Sequence, residues 1–212
     1  MTKPDKTFIL EFLTQEELNN NLNSNLMVAI NDVRKICGRN KNGEIKEVGL
    51  TNENEYLNPN SIIVITTYFT ILDLIGTIFK IKTYTEKASN NIKNALSQFS
   101  TLNTKEINIL VSLRNSITHN FSLVGFDRKD NPKNKYHFTL EHFSSGKIIE
   151  QKDKWNGDKS SKNELNTTIV RTKEFIDLVE NIYKKVIAEL KNDNISIKLD
   201  ITEIKSRFTF KH

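Results

Sequence analysis

The side chains best suited to catalysis lie in one short segment, residues 113–123, which reads LRNSITHNFSL. Arg114, Asn115 and His119 fall within about one and a half turns at the end of an apolar pattern typical of a helix. Asn115 and His119 are four residues apart and therefore share a helix face. Arg114 lies about 140° around the helix from His119, but its long side chain can swing towards the same cleft.

These three side chains match what the cleavage of RNA without a metal ion requires. A base must remove the proton of the 2′-hydroxyl, an acid must protonate the departing 5′-oxygen, and a cation must stabilise the charged phosphorane between them. Histidine as a residue type transfers protons near neutral pH, and arginine offers a fork of donors to phosphate oxygens. We expect His119 and Arg114 to fill these roles, with Asn115 orienting either group.

A single histidine cannot easily act as base and acid on opposite sides of one phosphate. A two-fold homodimer in which two copies of the motif helix face each other would place two arginines and two histidines in one cleft. The residues also have a structural alternative. A histidine near a helix C-terminus interacts favourably with the helix dipole, and Arg114 could pair with an acid such as Asp73.

The segment RNSITH, from Arg114 to His119, resembles the Arg-x4–6-His motif of the HEPN superfamily, in which Asn, Asp or His commonly follows the arginine. The resemblance implies a core of four or five helices with the motif near the end of a late helix. It also implies that Arg114 and His119 are catalytic, that Asn115 supports them, and that the motif helices of two subunits face each other.

The same resemblance implies a function. Many HEPN proteins are metal-independent endoribonucleases that serve toxin–antitoxin systems, phage defence or CRISPR effectors. We therefore expect RNA as the substrate, no metal and no cofactor, and an antitoxin or effector as a further partner. Other members are non-catalytic modules that bind RNA, a nucleotide or a protein, and some pair with nucleotidyltransferases. This second function stays open beside the first.

The helices needed to position the motif can be predicted from caps and apolar periodicity. Thr14 and Glu17 form a capping-box pattern before a first long helix, which Gly38 ends. We predict a mostly α fold, an HEPN-like up-and-down bundle of four to five helices with a β-hairpin insertion. The predicted helices cover residues 14–37, 61–82, 85–99, 104–119 and 164–191, with caps at Asn60 or Ser61 and at Thr104.

The predicted hairpin lies between the motif and the last helix. Tyr136, Phe138 and Leu140 alternate with polar residues, a Ser-Ser-Gly turn follows, and then comes the segment KIIEQ, which indicates a β-hairpin. The aromatic side chains could stack on bases or pack the sheet onto helices. We predict one HEPN-like domain over residues 1–212, an insertion at 126–162 and a tail at 192–212 that docks as a strand on the hairpin or on a partner chain.

The composition bounds the classes of protein that this chain can belong to. It has 212 residues, of which 37% are hydrophobic and 27% charged, and a formal net charge of +5, which favours partners that carry phosphate. The signal is weak because lysines alternate with acidic residues. Cys37 is the one cysteine, which excludes an intramolecular disulfide and favours a reducing compartment, so we predict a cytoplasmic location.

Residues 62–81, IIVITTYFTILDLIGTIFKI, are the one membrane candidate. Asp73 and Lys80 would make insertion unfavourable, so the segment predicts a helix buried inside a soluble protein, without a membrane partner. Asp73 itself is a candidate for binding substrate and orienting Arg114, or it is a satisfied buried or edge residue.

Two further polar residues, Asn120 and Ser122, follow the motif. They are candidates for binding the phosphate of the substrate, or they only cap the helix. His137, His142 and His212 have no neighbouring metal-ligand residues in the sequence, so we predict no metal site.

Overall fold

The structure, a computed structural model, describes residues 3–19, 21–45, 62–85, 90–126, 134–142 and 145–211. Within these residues the chain forms seven α-helices and nine strands in three sheets. The helices are α1 (Lys3–Thr14), α2 (Asn25–Ile36), α3 (Ile62–Ile78), α4 (Asn91–Phe99), α5 (Thr104–Asn120), α6 (Thr172–Lys191) and α7 (Ile201–Phe208). The strands are β1 (Glu17–Leu18), β2 (Leu22–Ser24), β3 (Phe79–Ile81), β4 (Val124–Phe126), β5 (Lys135–Glu141), β6 (Ile149–Gln151), β7 (Thr167–Arg171), β8 (Ile195–Ile197) and β9 (Thr209–Lys211).

The prediction of a mostly α bundle with one hairpin insertion is therefore wrong, because the fold is of the α+β class. The sheets have two, three and four strands within the described residues, and the strands lie both inside and outside the region predicted as an insertion. The helices nevertheless pack around one apolar core, in which α3 contacts α2, α4, α5 and α6.

Helix α3 is apolar on most of its faces and is the centre of that core. Val64, Ile65, Leu72 and Ile75 have no measurable exposure to solvent, as expected for the predicted buried helix. Gly76 allows α4 to approach, because a Cβ at this position would overlap the backbone carbonyl of Asn91. The predicted caps of α3 lie outside the described residues. No helix in the described part of the chain is both long and apolar enough to cross a bilayer.

The predicted first helix, residues 14–37, is wrong in its first half. Thr14 ends α1 instead of capping a helix, and β1 and β2 form a short hairpin whose turn contains Asn21 at φ +57°. Ser24 is the real cap of α2, since its hydroxyl accepts a hydrogen bond from the Met27 N–H at 3.2 Å. Asparagine tolerates the left-handed turn conformation, so this Asn-rich stretch breaks the helix.

The four-stranded sheet has the order β4-β5-β7-β6, which corrects the predicted hairpin. Strand β7 lies between β5 and β6, parallel to the first and antiparallel to the second. Its sequence TTIVR was predicted as the start of the last helix, but a run of β-branched residues favours a strand, and α6 begins only at Thr172.

The C-terminal tail is also placed differently from the prediction. Strand β8 pairs with β3, α7 follows, and β9 pairs with β2, so the tail joins two sheets near the N-terminal half of the chain and does not dock on β5 or β6. Helix α4 begins at Asn91, with Asn90 as its cap, and residues 86–89 lie outside the described part.

Candidate functional site

Helix α5 carries the Arg114 motif and begins with a complete capping box. The Glu106 N–H donates to the Asn103 side chain at 3.1 Å, and the Asn103 N–H donates to the Glu106 carboxylate at 2.9 Å. The cap is thus Asn103 and not the predicted Thr104. Because its first turn is held this firmly, α5 is a fixed element from which the motif is presented.

Small residues hold the second half of α5 directly against β4. The Ser116 hydroxyl donates to the Ser112 carbonyl at 2.7 Å, and both serines are buried. A Cβ at Gly125 would lie 2.5 Å from the Ser116 Oγ, so only glycine lets the strand approach the helix so closely. This contact fixes one side of α5 and leaves another side of its last turns to solvent.

Arg114, Asn115 and His119 lie on that last part of α5. Arg114 Nη1 donates to Asn115 Oδ1 at 3.2 Å, and both residues are half-buried, while His119 is exposed. The bond draws the guanidinium towards Asn115, which is one turn from His119 on the same helix face. Within the described part of the chain, Arg114 forms no ion pair and His119 forms no hydrogen bond or ion pair.

The helix ends at a residue with an unusual backbone. Phe121 has φ +45° and ψ +41°, the left-handed conformation, and its side chain is 82% exposed. Its N–H donates to the Ile117 carbonyl at 3.0 Å, and the Ser122 N–H donates to the Ser116 carbonyl at 3.2 Å. These two bonds satisfy carbonyls of the last turn and close the helix.

The other predicted substrate-binding residues are placed in two different ways. Asn120 is exposed beside the motif, whereas the Ser122 hydroxyl accepts a hydrogen bond from the Val124 N–H at 3.0 Å and so forms a local turn between α5 and β4. Asp73 lines a surface pocket with residues of α2, α4 and α7, and none of the residues lining that pocket belongs to α5. Nothing in the described structure joins Asp73 to Arg114, so we leave Asp73 out of the site.

The sequence analysis missed a buried ionic network between α2, α3 and α6. Arg34 donates to both carboxylate oxygens of Glu180 at 2.9 and 2.6 Å, and the Tyr68 hydroxyl donates to one of them at 3.0 Å. Burial, and then the negative charge of Glu180, raise the pKa of Tyr68 far above its ordinary value. The signal was present, because Glu180 interrupts the apolar stripe of α6.

A second missed feature is a concave pocket of about 360 Å³ between the start of α5 and the four-stranded sheet. Its lining includes Lys105, Lys135 and Lys154, with no acidic side chain among the described residues that line it, and Lys135 Nζ donates to the Asn156 carbonyl at 2.9 Å. We call it the lysine pocket. Lys105 lies 14 residues before His119 on α5, which corresponds to about 21 Å along the helix axis.

The sheet aromatics lie in the core and not at the surface. Tyr136 and Phe138 are 3% and 1% exposed and stack on each other with ring centroids 5.5 Å apart, so they pack the sheet and do not bind bases. Phe143 lies outside the described residues. Burial and the nearby Arg39 lower the pKa of His142, whose Nδ1 lies 3.1 Å from the Thr172 hydroxyl. No group of three or more potential metal ligands occurs in the ranges that the structure describes.

No protein-family model, no curated protein sequence and no solved structure matches this chain.

Proposed function

We propose that this protein is a metal-independent endoribonuclease of the HEPN type whose catalytic residues are Arg114 and His119. The observation that supports it most is that neither side chain has an acidic partner in the described structure. A guanidinium is bonded only to the neighbouring Asn115, and an exposed imidazole lies one turn further on, with no carboxylate neutralising either in the described structure. An arginine fork without an acidic partner, beside an exposed imidazole at a fixed helix end, can bind the oxygens of an anionic substrate.

In the proposed reaction the 2′-oxygen of one ribose attacks the adjacent phosphorus while a His119 imidazole accepts the 2′-hydroxyl proton. The Arg114 guanidinium donates hydrogen bonds to the non-bridging oxygens of the phosphorane, and Asn115 holds the guanidinium in place. The bond from phosphorus to the 5′-oxygen then breaks, and that oxygen takes a proton from a second imidazole. The products are a 2′,3′-cyclic phosphate and a 5′-hydroxyl.

The second imidazole comes, in this proposal, from His119 of another copy of the chain. A two-fold axis beside the end of α5 would bring two motif helices together and supply base and acid from opposite sides. Because this side of α5 is not covered by the four-stranded sheet, a second copy can approach the motif. Because this cleft uses one imidazole from each copy, a mixed dimer of wild-type and His119→Ala subunits should be inactive, so an excess of the variant should suppress cleavage by the wild type.

The decisive experiment incubates the purified protein with a labelled RNA in the presence and absence of EDTA. We expect cleavage that persists in EDTA, ends in a cyclic phosphate, and falls by roughly 10² to 10⁴-fold in Arg114→Ala and His119→Ala. Thr118→Ala is the matched control, because Thr118 is exposed on the same turn without a proposed role. Wild-type rates in both alanine variants, or cleavage abolished by EDTA, would remove the proposal.

The second candidate function is an RNA-binding module without catalysis, and the lysine pocket is the observation that favours it. Three lysines line this concavity, and such a group of positive charges suits a phosphate backbone. This function predicts that RNA binds in a salt-dependent manner and is recovered intact after incubation with the wild-type protein. The same labelled RNA, analysed for binding and for products, separates the two candidates.

A further inference from the structure

Phe121 combines two energetically unfavourable features in one residue. Its backbone is in the left-handed conformation, which places Cβ too close to a carbonyl oxygen in every residue except glycine, and its ring is 82% exposed to water. Asparagine or glycine would close α5 with the same hydrogen bonds and without either cost. Such a residue persists where its side chain has a role that the isolated fold does not explain.

The position of Phe121 connects it to the motif. It follows His119 by two residues, and the three residues before it, Thr118, His119 and Asn120, are all exposed. Its backbone is held in place by two hydrogen bonds, from its own N–H to the Ile117 carbonyl and from the Ser122 N–H to the Ser116 carbonyl. The ring is therefore exposed on a fixed backbone, two residues after His119 in the chain.

The surroundings of the ring favour a nucleobase over a protein partner. An exposed aromatic ring on the residue that follows the motif helix offers a flat stacking surface for a base. The neighbours in sequence, Asn120 and Ser122, are polar, which suits the hydrogen bonds that a nucleotide makes through its sugar and phosphate.

We propose that Phe121 is a substrate-positioning residue on which the base next to the cleaved bond stacks. This inference rests on the proposed function for the location of the cleaved bond, but the binding role can be tested without cleavage. Stacking on Phe121 would hold the ribose on one side of the phosphodiester while Arg114 binds the phosphate. Because every base has an aromatic face, the residue would tolerate many RNA sequences.

The test measures binding of a fully 2′-O-methylated single-stranded RNA, which has no attacking hydroxyl, together with thermal unfolding of each variant. Phe121→Asn should bind about tenfold or more weakly, yet unfold at the same or a higher temperature, because asparagine accepts the left-handed conformation. Phe121→Trp should keep the affinity of the wild type. Phe210→Ala is the control, because Phe210 is 41% exposed on β9 and should have no effect on binding.

The outcomes separate this inference from the proposed function. Wild-type affinity in Phe121→Asn, or equal losses in Phe121→Asn and Phe210→Ala, would overturn it. It would also be overturned if Phe121→Asn turned a dimer into a monomer in sedimentation, because the ring would then serve self-association. If the wild type binds but never cleaves an ordinary RNA, the nuclease proposal fails while a loss in Phe121→Asn still supports stacking. A wild type that does not bind RNA overturns both.

Discussion

Two arginines of this chain, Arg34 and Arg114, lie in opposite environments. Arg34 is 4% exposed, and it makes two bonds to Glu180, one to the Lys41 carbonyl at 2.6 Å, and a cation–π contact 5.5 Å from the ring of Tyr183. Arg114 is half-buried and makes a single bond of 3.2 Å to its sequence neighbour.

The charge of Arg34 is used inside the fold, whereas the charge of Arg114 is not. All donors of a buried arginine need partners, because an unpaired buried charge would cost several kcal/mol. The charge of Arg34 is already neutralised by Glu180, and its Nε, Nη1 and Nη2 each donate a hydrogen bond, so little attraction remains for an anionic substrate. Among the described residues, the Arg114 side chain is bonded to Asn115 and His119 has no bonded partner, so both groups remain available to an anionic ligand.

The largest expected effect lies in the buried region and concerns stability. Arg34→Met leaves the Glu180 carboxylate buried without its counter-charge, and we expect a loss of about 3–5 kcal/mol in the free energy of unfolding. Denaturant unfolding measures it. The double variant Arg34→Met/Glu180→Leu should recover most of the loss, since it removes both charges. Wild-type stability in Arg34→Met would mean that the network is not satisfied as the structure describes it.

The second prediction uses one conservative substitution in both regions. Arg114→Lys keeps the charge but loses the planar fork, so we expect RNA cleavage to fall by about 10² to 10³-fold, with the free energy of unfolding changed by less than about 0.5 kcal/mol. Arg34→Lys should instead lower the free energy of unfolding and leave the rate of RNA cleavage per folded molecule unchanged. A stability loss in Arg114→Lys comparable to that in Arg34→Lys would erase the distinction between the two regions.

The sequence allowed the motif helix to be predicted better than the rest of the fold. The apolar spacing of Ile107, Leu110, Val111 and Ile117 located α5 to within one residue at each end. Local patterns were sufficient because the helix, its cap and its motif are adjacent in the chain. The proximity of Arg114 to Asn115 follows from the same local geometry.

Strand pairing was not predictable, because it depends on contacts between distant segments. Nothing local says that TTIVR enters between β5 and β6, or that β9 returns to β2 at the other end of the chain. The Arg34–Glu180 bond joins residues 146 positions apart, and so it escaped the sequence analysis too. The conformation of Phe121 could not be predicted, because phenylalanine rarely adopts the left-handed backbone that is found here.

A third prediction tests the chemical inertness of the buried region. Burial raises the pKa of the Cys37 thiol to about 11, with Glu180 acting in the same direction and Arg39 against it. Alkylation by iodoacetamide at pH 8 should therefore be about a hundredfold slower in the native protein than in urea, and should accelerate as the pH rises towards 11. Mass spectrometry of the intact chain measures it. Equal rates in both states would show that the thiol is solvated and not part of a closed network.

The smallest expected effect concerns the lysine pocket. Its lysines resemble Arg114 in forming no ion pair with an acidic residue in the described part of the chain. If RNA follows α5 from His119 to this pocket, the double variant Lys105→Ala/Lys154→Ala should bind single-stranded RNA about tenfold more weakly. It should also make the plot of log binding constant against log salt concentration less steep by about 1.4, because each phosphate contact with a single strand contributes about 0.7 to that slope. Lys184→Ala/Lys191→Ala is the matched control on exposed positions of α6. Both double variants remove two positive charges, so they differ only in where those charges lie. If both change the slope equally, RNA responds to the net charge of the protein and does not bind at the lysine pocket.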